Sequence, residues 1–291
     1  MFLSEKHIIE NKMTFFKKKL KGIISKLPDG FQKKIFLAWL NFKNLRWTLT
    51  PAIDTSNLVT PAVKVTVVCL IYKSVGYIDF VWNSFQKYTK NAEFLFTAND
   101  ATDQVKDYLR QKKLPHLIFE NKDKNEHYLK QVYRAWNYGG FNAPGDIIVF
   151  VNSDMAFSDG WLDNLLKNVN NNRIVCSRLI ESGKMSSGNY GISKNFGRTY
   201  KEFDDNAFQR YAKEIRKTEI REGGWFMPCA IYKDLFIKSG GYPIGNRKEP
   251  DGSETSGDYI FFYEILRKMG IKHYTAFDSI VYHIREGEMD E

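Results

Sequence analysis

Cysteine is scarce in this chain: Cys69, Cys176 and Cys229 are widely spaced, and each sits among apolar neighbours. That argues against a disulfide framework or a metal knuckle, and predicts reduced, buried thiols in a cytoplasmic compartment. Long apolar runs are missing as well, since no stretch approaches the roughly 18 to 20 residues of a membrane span. There is no short apolar core with a small-residue cleavage site at the start, so the chain is expected to stay where it is made. Glycine-rich phosphate cradles are absent too. After the first apolar run, "YKSVGY" holds one glycine, which excludes a dinucleotide fingerprint, and no GxxxxGK[ST] loop occurs. Any phosphate must be held in another way, and a metal ion is the natural candidate. Internal repeats and long low-complexity tracts are also lacking.

What is present is enough for a large core: 291 residues, 43% of them hydrophobic, fit one large domain or a domain with an appendage. The net charge of +9 is uneven. Residues 1–60 hold eleven Lys/Arg against four acidic residues, which leaves only +2 for the rest. The charge belongs to one end, so a nucleic-acid partner is not expected. Within residues 7–47, lysine runs alternate with Phe, Ile, Leu and Trp around a turn signal, "LPDG", which predicts two amphipathic helices. This composition suits an anionic membrane surface. It equally suits packing on the main domain or on a second subunit in a homo-oligomer. "TLTPAIDTSNLVTPAV", residues 48–63, reads as a linker or strap. The expected organisation is a basic helical segment with its linker over 1–60 and one domain over 61–291.

From about Lys64 apolar strand runs and amphipathic helix runs alternate, which predicts an α/β fold with a mostly parallel sheet flanked by helices. In the last part of the chain two short strands are expected, "KHYTAF" and "SIVYH". Ligands of such sheets bind beyond the carboxyl ends of the strands. That rule selects Tyr72, the loop with Asn99 and Asp100, and Asn152, Ser153 and Asp154. Asp154 at the tip of "DIIVFV" either ligates a hard divalent cation or caps the following turn. His283 closes a late strand and would suit the same cation, or is a structural histidine. Asp258 opens a helix behind a polar loop, and is either a helix cap or a base for an incoming hydroxyl. Tyr72 and the Asn99/Asp100 pair would suit a nucleotide base.

The order of these pieces resembles family 2 glycosyltransferases. "VTVVCLIYKSVGYIDFVWNSFQ" is similar to the family's opening strand and helix, "TANDATD" to its first acidic loop, and "GDIIVFVNSDMAFSDGWLDNLL" to its metal-binding strand. "GGWFMPCAIYKDLFIKSGGYP", "SGDYIFFYEILRKMG" and "SIVYH" resemble its acceptor strand, its "ED" helix and its terminal histidine, so the likeness spans about residues 64–288. It implies a GT-A (Rossmann-like) fold with an N-terminal helical appendage, and inverting transfer of a sugar from a UDP- or GDP-sugar. It implies that Tyr72, Asn99 and Asp100 bind the base, with Asn152 and Ser153 on the donor's ribose or sugar. Asp154 and His283 would hold Mn²⁺ or Mg²⁺, and Asp258 would be the catalytic base. Trp225 and Glu254 would lie on the acceptor side, beside a glycan or lipid-linked acceptor of surface polysaccharide synthesis. Two departures stand out. "NSD" keeps one acid of the metal motif, and Gly257 replaces the Glu of "ED", a loss that Glu254 is the nearest candidate to make up. The thinned acids keep open a weakened glycan- or nucleotide-binding relative, and a sugar nucleotidyltransferase is the other alternative. The expected location is cytoplasmic, peripheral to the inner face of a membrane.

Overall fold

"VTVVCLI", residues 65–71, has apolar side chains facing both ways, as a strand covered by helices on each face requires. It is the centre of an α/β sheet in a computed structural model that describes residues 50–183 and 186–284. The amphipathic helices expected over 7–47 fall outside these residues. The strands are β1 (Ile53–Asp54), β2 (Val65–Ile71), β3 (Glu93–Asn99), β4 (His116–Phe119), β5 (Ile147–Asn152), β6 (Met155–Phe157), β7 (Arg173–Glu181), β8 (Ile192–Ser193), β9 (Glu219–Glu222), β10 (Cys229–Tyr232), β11 (Arg247–Lys248), β12 (Glu254–Thr255) and β13 (Lys272–His283). The helices are α1 (Val75–Tyr88), α2 (Asp103–Gln111), α3 (Tyr128–Asn142), α4 (Trp161–Leu166), α5 (Asp205–Ile215), α6 (Lys233–Ser239) and α7 (Gly257–Ile260). The last continues through a π turn (Phe261–Ile265) into α8 (Leu266–Lys268).

The main sheet runs β1-β9-β13-β7-β10-β5-β2-β3-β4, with β6 on β13 and β8 on β7; β11 and β12 form a separate hairpin. Strands β4, β3, β2 and β5 are parallel to one another, joined by the expected crossover helices α1, α2 and α3. β10 is antiparallel to both β5 and β7, and β13 is parallel to β7. It follows that β2, β3, β5, β7 and β13 all point the same way and end at one rim. The compact unit runs from Pro51, and β1, inside the expected linker, pairs with β9. The three cysteines are buried and form no disulfide.

Helix α3 is seated unusually close to the sheet. A Cβ at Gly139 would lie 2.3 Å from Thr97 Oγ1, and one at Gly140 would lie 2.5 Å from the Phe236 ring, so only glycine allows this approach. Trp136 and Tyr133 from the same helix are buried against the core, and Phe150 meets Trp136, Phe236 and Tyr242.

The two short strands expected at the end of the chain are one twelve-residue strand, β13, with a register shift between Ala276 and Ile280. Its polar "DS" reads as a break, but both groups are buried within the strand: Asp278 Oδ2 pairs with Lys167 at 2.6 Å while Oδ1 has no hydrogen-bond partner, and Ser279 Oγ lies 2.7 Å from Ser177 Oγ. Lys167→Met is expected to cost about 3 kcal/mol, because it strands a buried carboxylate. A urea midpoint shift at constant m would measure it. A loss below about 0.5 kcal/mol, the scale of an ordinary surface change, would show that the pair is dispensable.

Candidate active site

The strand ends at the rim build the site. β6 pairs antiparallel with the end of β13 in the register His283 to Met155, and Ile284 N donates to Asp154 O at 2.9 Å. β7 pairs parallel with β13 in the register Glu181 to His283. Backbone ladders alone therefore set Asp154, His283 and Glu181 side by side. His283 Nε2 lies 3.3 Å from Asp154 Oδ2, and Nδ1 lies 2.9 Å from Glu181 Oε1. Burial disfavours the imidazolium, but the two carboxylates outweigh it and push the His283 pKa up to about 10. Burial likewise works against the Glu181 carboxylate, yet His283 and Ser187 hold its pKa below the usual value. Ser187 donates to it from both its backbone N and its hydroxyl.

Asp154 does not cap the following turn, since Oδ2 faces His283 and Oδ1 is buried with no hydrogen-bond partner. An orphaned carboxylate oxygen beside an imidazole nitrogen is a donor set that fits a divalent cation such as Mn²⁺ or Mg²⁺. Glu181 would then hold Nδ1–H and aim Nε2 at the ion, the usual carboxylate support of a ligating histidine. Among the described residues no group of three or more His, Cys, Asp or Glu could hold a metal ion, so ligand oxygens and water would have to complete the coordination.

Asp154 also lines a crevice of about 520 Å³ together with Tyr72, Asn99, Asn152 and Ser153, all just past or at the ends of β2, β3 and β5. Tyr72 is 51% exposed, an open ring face rather than a core cover. Helix α3 supplies Tyr128, Gln131 and Val132 to the same crevice. Asp100 is not among its lining residues, contrary to expectation. At φ +46° it turns to the loop after β4, where its carboxylate accepts from Asn121 N at 2.9 Å, from Asn121 Nδ2 and from Lys124. Burial would raise its pKa, but these partners lower it. Asn99 faces the crevice with Oδ1 already accepting from Asn121 Nδ2 at 3.1 Å, which favours its amide N–H groups as the outward donors.

Asp258 lies in the first turn of α7, but Ser256 Oγ caps that helix by accepting from Tyr259 N at 3.2 Å. The Asp258 side chain keeps a solvent-facing edge and is otherwise densely surrounded. Burial pushes its pKa up to about 6, and Tyr133, which donates to Oδ2 at 3.2 Å, pulls it partly back. Tyr133 follows Val132 in α3, so the crevice and Asp258 touch consecutive residues of one helix. Glu254 is on the exposed β11–β12 hairpin and accepts from Asn246 Nδ2 at 3.2 Å, and Asn246 Oδ1 accepts from Gly257 N at 3.2 Å, so one side chain links Glu254 to the residue before Asp258. Trp225, 37% exposed, meets the Phe226 ring at a tilt of 34°, and the Phe226 ring meets Phe262 and Tyr263 in the helix that follows Asp258. Sequence reasoning passes over Glu181 and Tyr133, as it does the crevice residues Tyr128, Gln131 and Val132. An acid closing an apolar strand, "SRLIE", is the signal for the first; the second reads as an ordinary core position of α3.

The profile of glycosyl transferase family 2 matches residues 66–236, more than half of the chain. The chain belongs to glycosyl transferase family 2. Its fold is similar to that of the mannosyltransferase PcManGT from Pyrobaculum calidifontis in complex with GDP-Man and Mn²⁺, with a TM-score of 0.52 at 14% identity over 85% of this chain and 64% of that one. It is also similar to GalNAc-T7 with UDP, GalNAc and Mn²⁺, with a TM-score of 0.49 at 14% identity over 78% of this chain and 44% of that one. S. aureus TarS 1-349 aligns at 14% identity with a TM-score of 0.43, over 76% of this chain and 60% of that one. This family 2 chain therefore spans less than two thirds of each of these solved structures. No curated protein matches it in sequence.

Proposed function

We propose that the protein is an inverting, metal-dependent glycosyltransferase. It would move a sugar from a UDP- or GDP-linked donor to a hydroxyl of a glycan or lipid-linked acceptor in surface polysaccharide synthesis. One observation carries this reading. Asp154, with His283 Nε2 3.3 Å from its Oδ2, lines a crevice at the rim of a family 2 fold, and Asp258, a carboxylate with a raised pKa, accepts from Tyr133, the residue after Val132 of that lining. Tyr72 stacks on the base, Asn99 hydrogen-bonds it, and Asn152 and Ser153 contact the donor's ribose or sugar. Asp154 and His283 would hold Mn²⁺ or Mg²⁺, which when bound would offset the charge that grows on the departing diphosphate. Asp258 takes the proton of the acceptor hydroxyl. The acceptor oxygen then bonds to the anomeric carbon as the bond to the diphosphate oxygen breaks, and the configuration inverts. The exposed Trp225 ring supports a sugar platform on the acceptor side. The lysine-rich apolar composition of residues 1–47 supports attachment to an anionic membrane on its cytoplasmic face.

A thermal-shift screen of UDP- and GDP-sugars, each with and without Mn²⁺ or Mg²⁺, tests the reading. One nucleotide class at a hundred times its Kd is expected to stabilise the protein by about 2.7 kcal/mol. That is a rise of roughly 5 to 10 °C, and it should require the cation. No cation-dependent shift with any nucleotide would sink the proposal.

A further inference from the structure

Residue 257, next to Asp258, is glycine for want of room rather than for backbone freedom. It is not among the glycines with positive φ. A Cβ there would come within 2.7 Å of Tyr133 Cζ, 2.8 Å of Cε2 and 3.0 Å of the Gly245 carbonyl oxygen. The Tyr133 ring cannot easily yield, because it is buried and lies 5.9 Å from the Tyr242 ring, which is itself enclosed by Phe150, Phe236 and Phe261. Its hydroxyl bonds Asp258 twice: it donates to Oδ2 at 3.2 Å and accepts from the Asp258 backbone N at 3.1 Å. One phenol thus ties the carboxylate to its own backbone and limits its rotation about the side-chain bonds.

We infer that Tyr133 is the positioning residue for the Asp258 carboxylate, seated in the room that Gly257 leaves. The inference rests on the proposed role of Asp258 and adds to it a residue that no motif marks. The titratable groups around Asp258 are Tyr133 from α3, Tyr242 from the turn after α6, Cys176 from β7 and, through its 3.5 Å contact with the Tyr242 hydroxyl, Cys229 from β10. Burial pushes Tyr133, Tyr242 and Cys176 upward, so these stay neutral across the working range. Tyr133 is therefore the group that fixes the direction of the carboxylate and partly offsets the effect of burial on its basicity.

Tyr133→Phe keeps the ring and removes only the hydroxyl. Carbon-13 carboxyl titrations of the full chain, with Asp258→Asn used to assign the signal, should show the Asp258 midpoint above the wild-type value of about 6. The sign follows because a donor to a carboxylate favours its charged form, and this donor is lost. With release of UDP or GDP from the matching sugar nucleotide as the assay, kcat should fall about tenfold, the scale of one hydrogen bond to a charged group. Its acid limb should move to higher pH, while the donor KM stays within about twofold. Gly257→Ala keeps the hydroxyl but displaces the ring, and should give the same pair of changes. An unchanged midpoint and unchanged kcat in Tyr133→Phe would overturn the inference. Full activity in Asp258→Asn, or no turnover of any sugar nucleotide by the wild type, would instead defeat the reading of Asp258 on which it rests.

Discussion

Asp258→Asn is expected to lower turnover by about 10²- to 10⁴-fold, the range that a positioned acid or base contributes, while leaving nucleotide binding intact. The substitution keeps the shape of the side chain and a hydrogen-bonding partner for Tyr133, and removes only the ability to take a proton. Two further results separate this outcome from damage to the fold. In the wild type the active form is the carboxylate, so kcat should rise with pH through about 6 and level off above it. The variant's residual rate should lack that limb. Stability should move in the opposite direction. Between the ordinary carboxyl value of 3.8 and about 6, the folded protein holds a proton that the unfolded chain has released. Stability therefore falls with rising pH across that window, and above it the ionised Asp258 is a constant cost. Asp258→Asn should melt at or above the wild-type temperature at pH 8. An inactive variant that melts well below the wild type would point to a structural role.

Asp154→Ala should abolish cation-dependent nucleotide binding and turnover together. It removes the one carboxylate whose Oδ1 is orphaned at the crevice, and leaves His283 facing Glu181 alone. The loss of affinity for UDP or GDP in the presence of Mn²⁺ should exceed the roughly 10- to 100-fold typical of an outer partner such as Glu181, because a direct ligand is lost. Calorimetric titration with and without Mn²⁺ reads this directly. Wild-type and variant proteins should bind nucleotide alike when the cation is chelated, since Tyr72, Asn99, Asn152 and Ser153 are untouched. Equal Mn²⁺-dependent affinity in the two proteins would remove Asp154 from the metal site. The pair of variants also separates two roles, since only Asp154→Ala should weaken binding.

Much of this site is legible from strand ends. Asp154 and His283 each follow a run of β-branched and apolar residues, and a buried strand that stops on a polar group places that group at a rim. Asp258 is legible by its position behind a polar loop. Asn99 and Asp100 show the limit of this approach. They are neighbours in sequence, yet the positive φ of Asp100 aims its side chain at Asn121 and Lys124, and only Asn99 meets the crevice. Glu254 shows a second limit. It is linked to Gly257 through Asn246, which donates to Glu254 and accepts from Gly257 N, a connection that the sequence does not show.

The alternation of buried strands and amphipathic helices, read from local period alone, determined that this is an α/β protein with a site at its carboxyl rim. Local period has no access to strand order or to the partner across a ladder. Only the tertiary structure decided that an antiparallel β10 separates β5 from β7 while both point the same way. It also decided that β6 folds back on β13 to bring Asp154 to His283, and that β7 lays Glu181 on the other side of the imidazole. The same holds for Tyr133, more than a hundred residues from Asp258 in sequence. In the sequence it is one more apolar position of a helix, and its hydroxyl gains a function only because Gly139, Gly140 and Gly257 let that helix come close enough.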